Sequence, residues 1–266
     1  MPELPEVQTV INHYEPKLIN KIIHSIENPN GYVKVFENGT LNDYNFLLSG
    51  KSIKSIFRRG KYIILNLCSG YLLIHLRMTG KLEMDKPNKK NMKHVSFKLK
   101  FQDGSNLFFI DVRKFGRLYF SNNLSWLNNK LGIEPLSSEF NSKWLYKLLK
   151  SHKRMMKPFL LDQKFIAGLG NIYTDEALWS SGIHPKAISK NINKNRSNLL
   201  AIEIKNILNK AIKYQGTTII NFSYGNNKNG NFSDELQIFG KPNLPCPKCK
   251  SPIIKKFIAQ RGTHFC

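Results

Sequence analysis

Leu4, Val7, Val10, Ile11, Tyr14 and Leu18 recur at helical spacing, so the chain starts almost directly in an amphipathic helix. From about residue 20 to 120 the text is strand-like, with β-rich runs at 53–57, 62–67, 71–76, 95–101 and 107–111. Gly60, Ser69-Gly70 and Asp103-Gly104 punctuate these runs as turns, and residues 85–93 read as a solvated loop. Short strands in series predict a sandwich or barrel. Beyond residue 122 the period changes to helical, with helices predicted near 124–131, 142–151, 155–165, 172–180 and 197–215. Residues 216–235 read as a long loop, of the kind that is commonly functional. A Pro-, Cys- and Lys-rich stretch closes the chain from 240 to 266. The pattern predicts a multi-domain α+β protein divided at 1–121, 122–239 and 240–266.

Charge adds a partner to this picture. The formal net charge is +23 over 266 residues, which points to a polyanion. Only eight of the 41 basic residues are Arg, and the excess of Lys, Asn and Ile fits an AT-rich coding bias, so the arginines are the more telling cations. No apolar run approaches the roughly 20 residues of a membrane helix, and the acidic, proline-containing start does not read as a signal or transit peptide. Four cysteines, two of them in a C-x-x-C, suggest a reducing compartment with metal rather than disulfides. Cytoplasm, with the nucleoid, is the expected location.

The chain opens Met-Pro2-Glu3-Leu-Pro-Glu6. Removal of the initiator methionine would leave a secondary amine at Pro2, which can add to an aldehyde carbon and form an iminium, a strong electron sink. An unperturbed α-amine has a pKa of about 7.7–8.0, so part of it is neutral near pH 7. Glu3 and Glu6 stand close enough in sequence to move protons for it. The same residues also suit an ordinary first helical turn, where proline and acids are favoured. Cys246, Cys249 and Cys266 give C-x2-C-x16-C, three positions of a zinc-ribbon ligand set. The fourth is expected three residues beyond Cys266, where the sequence stops, so the zinc site reads as incomplete. Cys68, in an apolar run, reads as a small buried hydrophobe. Gln260-Arg261-Gly-Thr-His264 suits a hairpin tip, with Arg261 as a phosphate fork. Residues 164–185 describe helix, Gly168-Leu-Gly170 turn, Asn171 cap, second helix and Gly182 stop. His75-Leu-Arg-Met78-Thr-Gly80 and Asp111-Val-Arg113-Lys-Phe115-Gly116 each put a long or aromatic side chain beside a glycine at a strand end. Met78 and Phe115, taken singly, suit a core; together with Arg113 they could wedge into a base stack.

These segments, with RRGKY at 58–62, KP-x-LLDQK at 157–164, GLGNIYTDEAL at 168–178 and QRGTHFC at 260–266, resemble bacterial formamidopyrimidine-DNA glycosylase along essentially the whole chain. The resemblance implies an amino-terminal β-sandwich with flanking helices, a helix-two-turn-helix domain and a zinc hairpin, with damaged double-stranded DNA held between the domains. It implies excision of 8-oxoguanine and formamidopyrimidines with strand cleavage by β,δ-elimination, by a monomer with no membrane association. By position, Pro2 is similar to the Schiff-base nucleophile, and Glu3 to the acid/base that opens the sugar, supported by Glu6. Lys61 resembles the lysine of β-elimination, and Arg261 the hairpin arginine that grips phosphate and assists δ-elimination. Asn171, Lys153 and His94 resemble backbone contacts. Met78, Arg113 and Phe115 resemble the intercalating trio, with His75 among the DNA-binding positions, and 216–235 resembles the segment over the flipped lesion. Asn243 stands where the family suggests a glycine. Two other readings stay open: an endonuclease-VIII-type glycosylase for oxidised pyrimidines, and a non-catalytic lesion-binding protein.

Overall fold

The structure, a computed structural model, describes residues 1–218, 222–225 and 228–266. The chain forms two units: Met1–Leu127 with Gln215–Asn231, and Asn128–Tyr214 with Phe232–Cys266.

In the first unit helix α1 (Leu4–Leu18) follows the predicted apolar spacing, and Leu4, Val7, Val10, Ile11, Tyr14 and Leu18 are all buried. Two antiparallel-rich sheets make the sandwich. One has the order β1 (Ile23–Glu27), β7 (Val95–Phe101), β8 (Asn106–Asp111), β6 (Gly80–Glu83). The other runs β2 (Phe36–Glu37), β9 (Arg117–Ser121), β5 (Tyr71–His75), β4 (Tyr62–Leu67), β3 (Ile53–Arg59). Ile23, Ile26, Phe97, Leu99 and Phe109 of the first sheet share one core with Ile53, Ile56, Ile63, Leu65, Leu72 and Ile74 of the second and with α1. Phe97 and Phe109 stack at 4.9 Å between centroids. Helix α2 (Leu41–Leu48) starts from a Thr40/Asp43 capping box, in which Thr40 N–H donates to Asp43 at 2.7 Å. The predicted loop at 85–93 contains one further turn of helix, α3 (Lys89–Met92), capped by Asn88.

The second unit packs α5 (Ser142–Lys150) and α7 (Asn171–Ser180) against the long α8 (Lys194–Lys213), after a short α4 (Ser125–Lys130) that closes the first unit's chain run. The helix expected over 155–165 is shorter. Helix α6 (Met156–Leu161) stops at Asp162, whose side chain accepts from Lys164 N–H and pairs with Arg154 at 2.8 Å, a local alternative to continuing the helix. Strands β10 (Ile254–Ile258) and β11 (Arg261–Phe265) form the carboxy-terminal hairpin.

Three expectations are revised. Residues 215–231 group with the sandwich rather than with the helical domain. Thr217 N–H donates to Glu6 at 2.7 Å and Tyr224 joins the sandwich core. Residues 219–221 and 226–227 of the expected lesion-covering loop lie outside the described residues. Cys68 is exposed, not buried: β4 ends at Leu67, and the thiol falls in the turn that follows. Finally, Gly170 rather than Asn171 is the N-cap of α7, so the Asn171 side chain is released for other partners.

Candidate functional site

In the first unit the amino end is enclosed. Pro2, Glu3 and Glu6 are buried, and so is Lys61. Glu6 reads the backbone on two sides: one oxygen accepts from Glu3 N–H at 2.8 Å, the other from Thr217 N–H at 2.7 Å. Gly216, at φ +81, lies so close that a Cβ there would come within 2.9 Å of the Glu6 carboxylate. Lys61 sits on a glycine-first, two-residue hairpin between β3 and β4, with Gly60 at φ +56. The Met1 α-amine at this end is held below its ordinary pKa. Burial is the main cause; Glu3 and Glu6 oppose it, while Lys61 and Arg113 add to it.

Two adjacent loops carry the second group of expected residues. Met78 is 40% exposed and Phe115 45% exposed. The Arg113 guanidinium lies 4.9 Å from the Phe115 ring centroid and 3.3 Å from Met78 sulfur, so the three side chains form one exposed cluster. Asp111, which sequence reasoning passed over, organises it. Its fully buried carboxylate accepts from Thr79 Oγ1 at 2.5 Å, from Arg113 N–H at 3.2 Å and from Gly116 N–H at 2.6 Å. Gly80 and Gly116 are required by space, since a Cβ at either would lie 2.7 Å or 2.3 Å from the Phe109 ring. His75 is buried beneath the first loop. Its ring meets Tyr62 edge-on at 4.5 Å, and its Nδ1 accepts from Arg77 N–H at 3.0 Å. His94 is half-buried just after α3, and its carbonyl accepts from Asp111 N–H.

The second unit holds the rest. Lys153 is exposed between α5 and α6. The Gly168–Gly170 turn is fixed by Gln163, which accepts from Gly168 N–H and donates to the Leu169 carbonyl. Asn171 opens α7, and its Nδ2 donates to the Gly262 carbonyl at 2.8 Å while its Oδ1 is buried without a partner. Nδ2 carries a second N–H beyond that bond. Arg261 begins β11 and is exposed, directly after a turn in which Ala259 and Gln260 both take positive φ. Glu176, also missed, accepts from the N–H groups of Gln237, Ile238 and Phe239 at 2.8–3.2 Å. Its carboxyl pKa is raised by burial, with those hydrogen bonds opposing. The adjacent acids Asp175 and Glu176, on a helix that carries no basic residue, were the signal available for it.

The sulfurs of Cys246, Cys249 and Cys266 lie within 4.8 Å of one another, and Cys249 and Cys266 are 3.9 Å apart. Tetrahedral zinc with Zn–S bonds of about 2.3 Å needs about 3.8 Å between sulfurs, so the cluster fits. Burial pushes the Cys246 thiol up, but hydrogen bonds from Trp179 and from the N–H groups of Cys249 and Lys248 bring it down to about 6, as suits a thiolate ligand. Asn243 takes φ +68, a left-handed conformation that asparagine supports without the glycine expected there. Among the described residues no helix is long and apolar enough to cross a membrane.

Comparison with known proteins places the chain in one family. The formamidopyrimidine-DNA glycosylase N-terminal domain matches residues 1–118, and the formamidopyrimidine-DNA glycosylase H2TH domain matches 131–223. The formamidopyrimidine-DNA glycosylase of Mycoplasma pneumoniae is 39% identical over 274 residues, covering 100% of this chain and 98% of the relative. A Lactococcus lactis Fpg mutant in complex with Fapy-dG containing DNA superimposes with a TM-score of 0.90 at 37% identity, covering 100% and 98%. The wild-type Lactococcus lactis protein in complex with oxidized-pyrimidine containing DNA gives 0.89 at 36%, with the same coverage.

Proposed function

The chain belongs to the formamidopyrimidine-DNA glycosylase family, and from that premise we propose that it excises formamidopyrimidines and 8-oxoguanine from duplex DNA through a Pro2 Schiff base. The observation that carries this reading is the amino end itself, where Pro2, Glu3, Glu6 and Lys61 are all buried and the Met1 α-amine is held below its ordinary pKa. Once Met1 is cleaved, the Pro2 nitrogen takes over that environment, and the same burial favours its neutral, nucleophilic form.

The neutral amine attacks C1′ of the damaged nucleoside. The C1′–N bond breaks, and the base leaves with that electron pair and with the proton that the attacking Pro2 nitrogen gives up. The nitrogen lone pair then opens the C1′–O4′ bond, and O4′ takes a proton from the Glu3 carboxyl, leaving an iminium at C1′. The iminium acidifies the C2′ proton. Its removal, with Lys61 as proton carrier, expels the 3′ phosphate by breaking C3′–O. Loss of the C4′ proton then breaks C5′–O and expels the 5′ phosphate, with Arg261 binding that phosphate. Water hydrolyses the imine, returning the Pro2 amine and an unsaturated aldehyde.

Met78, Arg113 and Phe115 suit insertion into the stack vacated by the extruded nucleotide, with Arg113 facing the base opposite the lesion. Asn171, through its second Nδ2 hydrogen, Lys153 and His94 suit phosphate contacts. His75 supports the Met78 loop from below. Cys246, Cys249 and Cys266 would hold zinc, whose contribution is to cross-link the hairpin that carries Arg261. The protein acts as a monomer in the cytoplasm, in this reading.

Borohydride reduction of the imine tests the proposal. Wild-type protein is expected to become covalently linked to an abasic duplex, Pro2→Gly to retain weak linkage through its primary amine, and protein with a blocked amino terminus to give none. Undiminished linkage by the blocked protein refutes the Pro2 assignment. A second reading, preference for oxidised pyrimidines, is favoured by the complex of the Lactococcus lactis relative with such DNA. Side-by-side excision of 8-oxoguanine opposite cytosine and of thymine glycol separates the two, and the first is expected to be faster.

A further inference from the structure

Asn171, Asp175 and Trp179 are successive residues of one stripe along α7, four apart. All three bond to the carboxy-terminal module. Asn171 Nδ2 donates to the Gly262 carbonyl at 2.8 Å, Asp175 accepts from His264 N–H at 2.9 Å, and Trp179 Nε1 donates to Cys246 sulfur at 3.2 Å. The last of these holds the cysteine knuckle, together with Lys248, which donates to the Ser180 carbonyl at 2.8 Å. The first two hold β11 at the residues one and three beyond Arg261.

Asp175 is completely buried, and its other oxygen pairs with Lys157, equally buried, on α6. The Lys157 ammonium also donates to the Asn171 carbonyl at 3.1 Å, closing a circuit from α6 through the first turn of α7 to β11. A buried ion pair is weak evidence of stability, because an apolar pair of similar volume often serves as well. What an apolar pair cannot supply is an acceptor for the His264 N–H. We infer that Asp175 is a positioning residue that fixes Arg261 for the second elimination, by holding β11 at a set height on α7. The inference rests on the role given to Arg261 above.

Two double variants isolate the one bond. Lys157→Met with Asp175→Asn removes the buried charges yet keeps a side-chain carbonyl to accept from His264. Lys157→Met with Asp175→Leu removes that acceptor as well. On a pre-formed abasic duplex the leucine variant is expected to show a δ-to-β product ratio about 10- to 100-fold below that of the asparagine variant, the scale of a misplaced catalytic group. Borohydride linkage and zinc content are expected to match between them, while the stranded His264 N–H lowers the melting temperature of the leucine variant by a few degrees. Equal product ratios overturn the inference. Arg261→Gln is the control for the reading beneath it: if that variant keeps its δ product, the role of Arg261 fails, whereas loss there with equal ratios in the pair sinks only the part played by Asp175. Should the leucine variant not fold, Asp175→Glu keeps the ion pair but displaces the acceptor by one methylene. A selective loss of δ product is expected there too, and an unchanged ratio overturns the proposal.

Discussion

Asp111 ends an apolar strand, and its carboxylate gathers a hydroxyl and two backbone N–H groups from the two loops that carry Met78, Arg113 and Phe115. Replacing it with alanine strands the buried Gly116 N–H and frees the Thr79 hydroxyl, while Arg113 N–H keeps Thr79 Oγ1 at 3.0 Å, so Asp111→Ala is expected to cost about 2 kcal/mol. Chemical denaturation measures this, and a cost below about 1 kcal/mol would mean that water replaces the carboxylate. The Pro2 amine gives a second prediction. Burial holds the Met1 α-amine below the ordinary range of about 7.7–8.0, and the buried Pro2 nitrogen is expected to shift the same way once Met1 is removed. The protonated form is inert as a nucleophile. Linkage to an abasic duplex is therefore expected to persist to lower pH than a solvated amine of that range would allow. A rate that already halves near pH 8 would show an amine in an ordinary, solvated setting.

Helix α7 shows how one element serves two tasks. Its Asn171–Asp175–Trp179 stripe faces the hairpin, while Glu176, one position round, gathers three consecutive N–H groups from 237–239. Glu176→Ala strands those three donors and is expected to destabilise the second unit by about 3 kcal/mol or more, visible as a lowered melting temperature. Amide exchange at 237–239 should rise with it; protection equal to wild type there would deny the carboxylate this function. The helix was readable in advance from its period and from Gly182, which stops it at φ +63. Its cap was misread because Gly-Asn reads as turn then cap, and Asn171 instead spends its amide on Gly262. Helix α6 was read too long because the Asp162 turn depends on Arg154, a partner that the apolar period does not reveal.

Across the full chain, a net charge of +23 makes phosphate neutralisation the main source of affinity for DNA. If six to ten phosphates are contacted, binding should weaken by about 10³–10⁵ between 50 and 200 mM salt. Titrations at three salt concentrations measure the slope. A slope near one or two would mean that most lysines are a compositional bias and lie away from the contact. Metal removal should act locally. If zinc fills the three-cysteine cluster and the proposed roles hold, chelation is expected to suppress δ-elimination through Arg261 and to leave borohydride linkage largely intact, since Pro2 lies in the sandwich unit. Loss of both together would tie the metal to the stability of the entire protein.

The linear order of residues was enough for the sandwich, the helical unit, the hairpin and the family. Period, turn glycines and seven motif segments are local or short-range signals, and they survive without knowledge of contacts. The role proposed for Pro2 likewise rests on a local signal, its place as the second residue of the chain. Other features existed only once strands and helices were assembled. Asp111 as the anchor of two loops, Glu6 as the tether of Thr217, and the Lys157–Asp175–His264 circuit each join residues far apart in sequence, and a carboxylate looks alike on paper whether solvated or enclosed. Burial and partner choice decide what such a group does, and both are properties of packing.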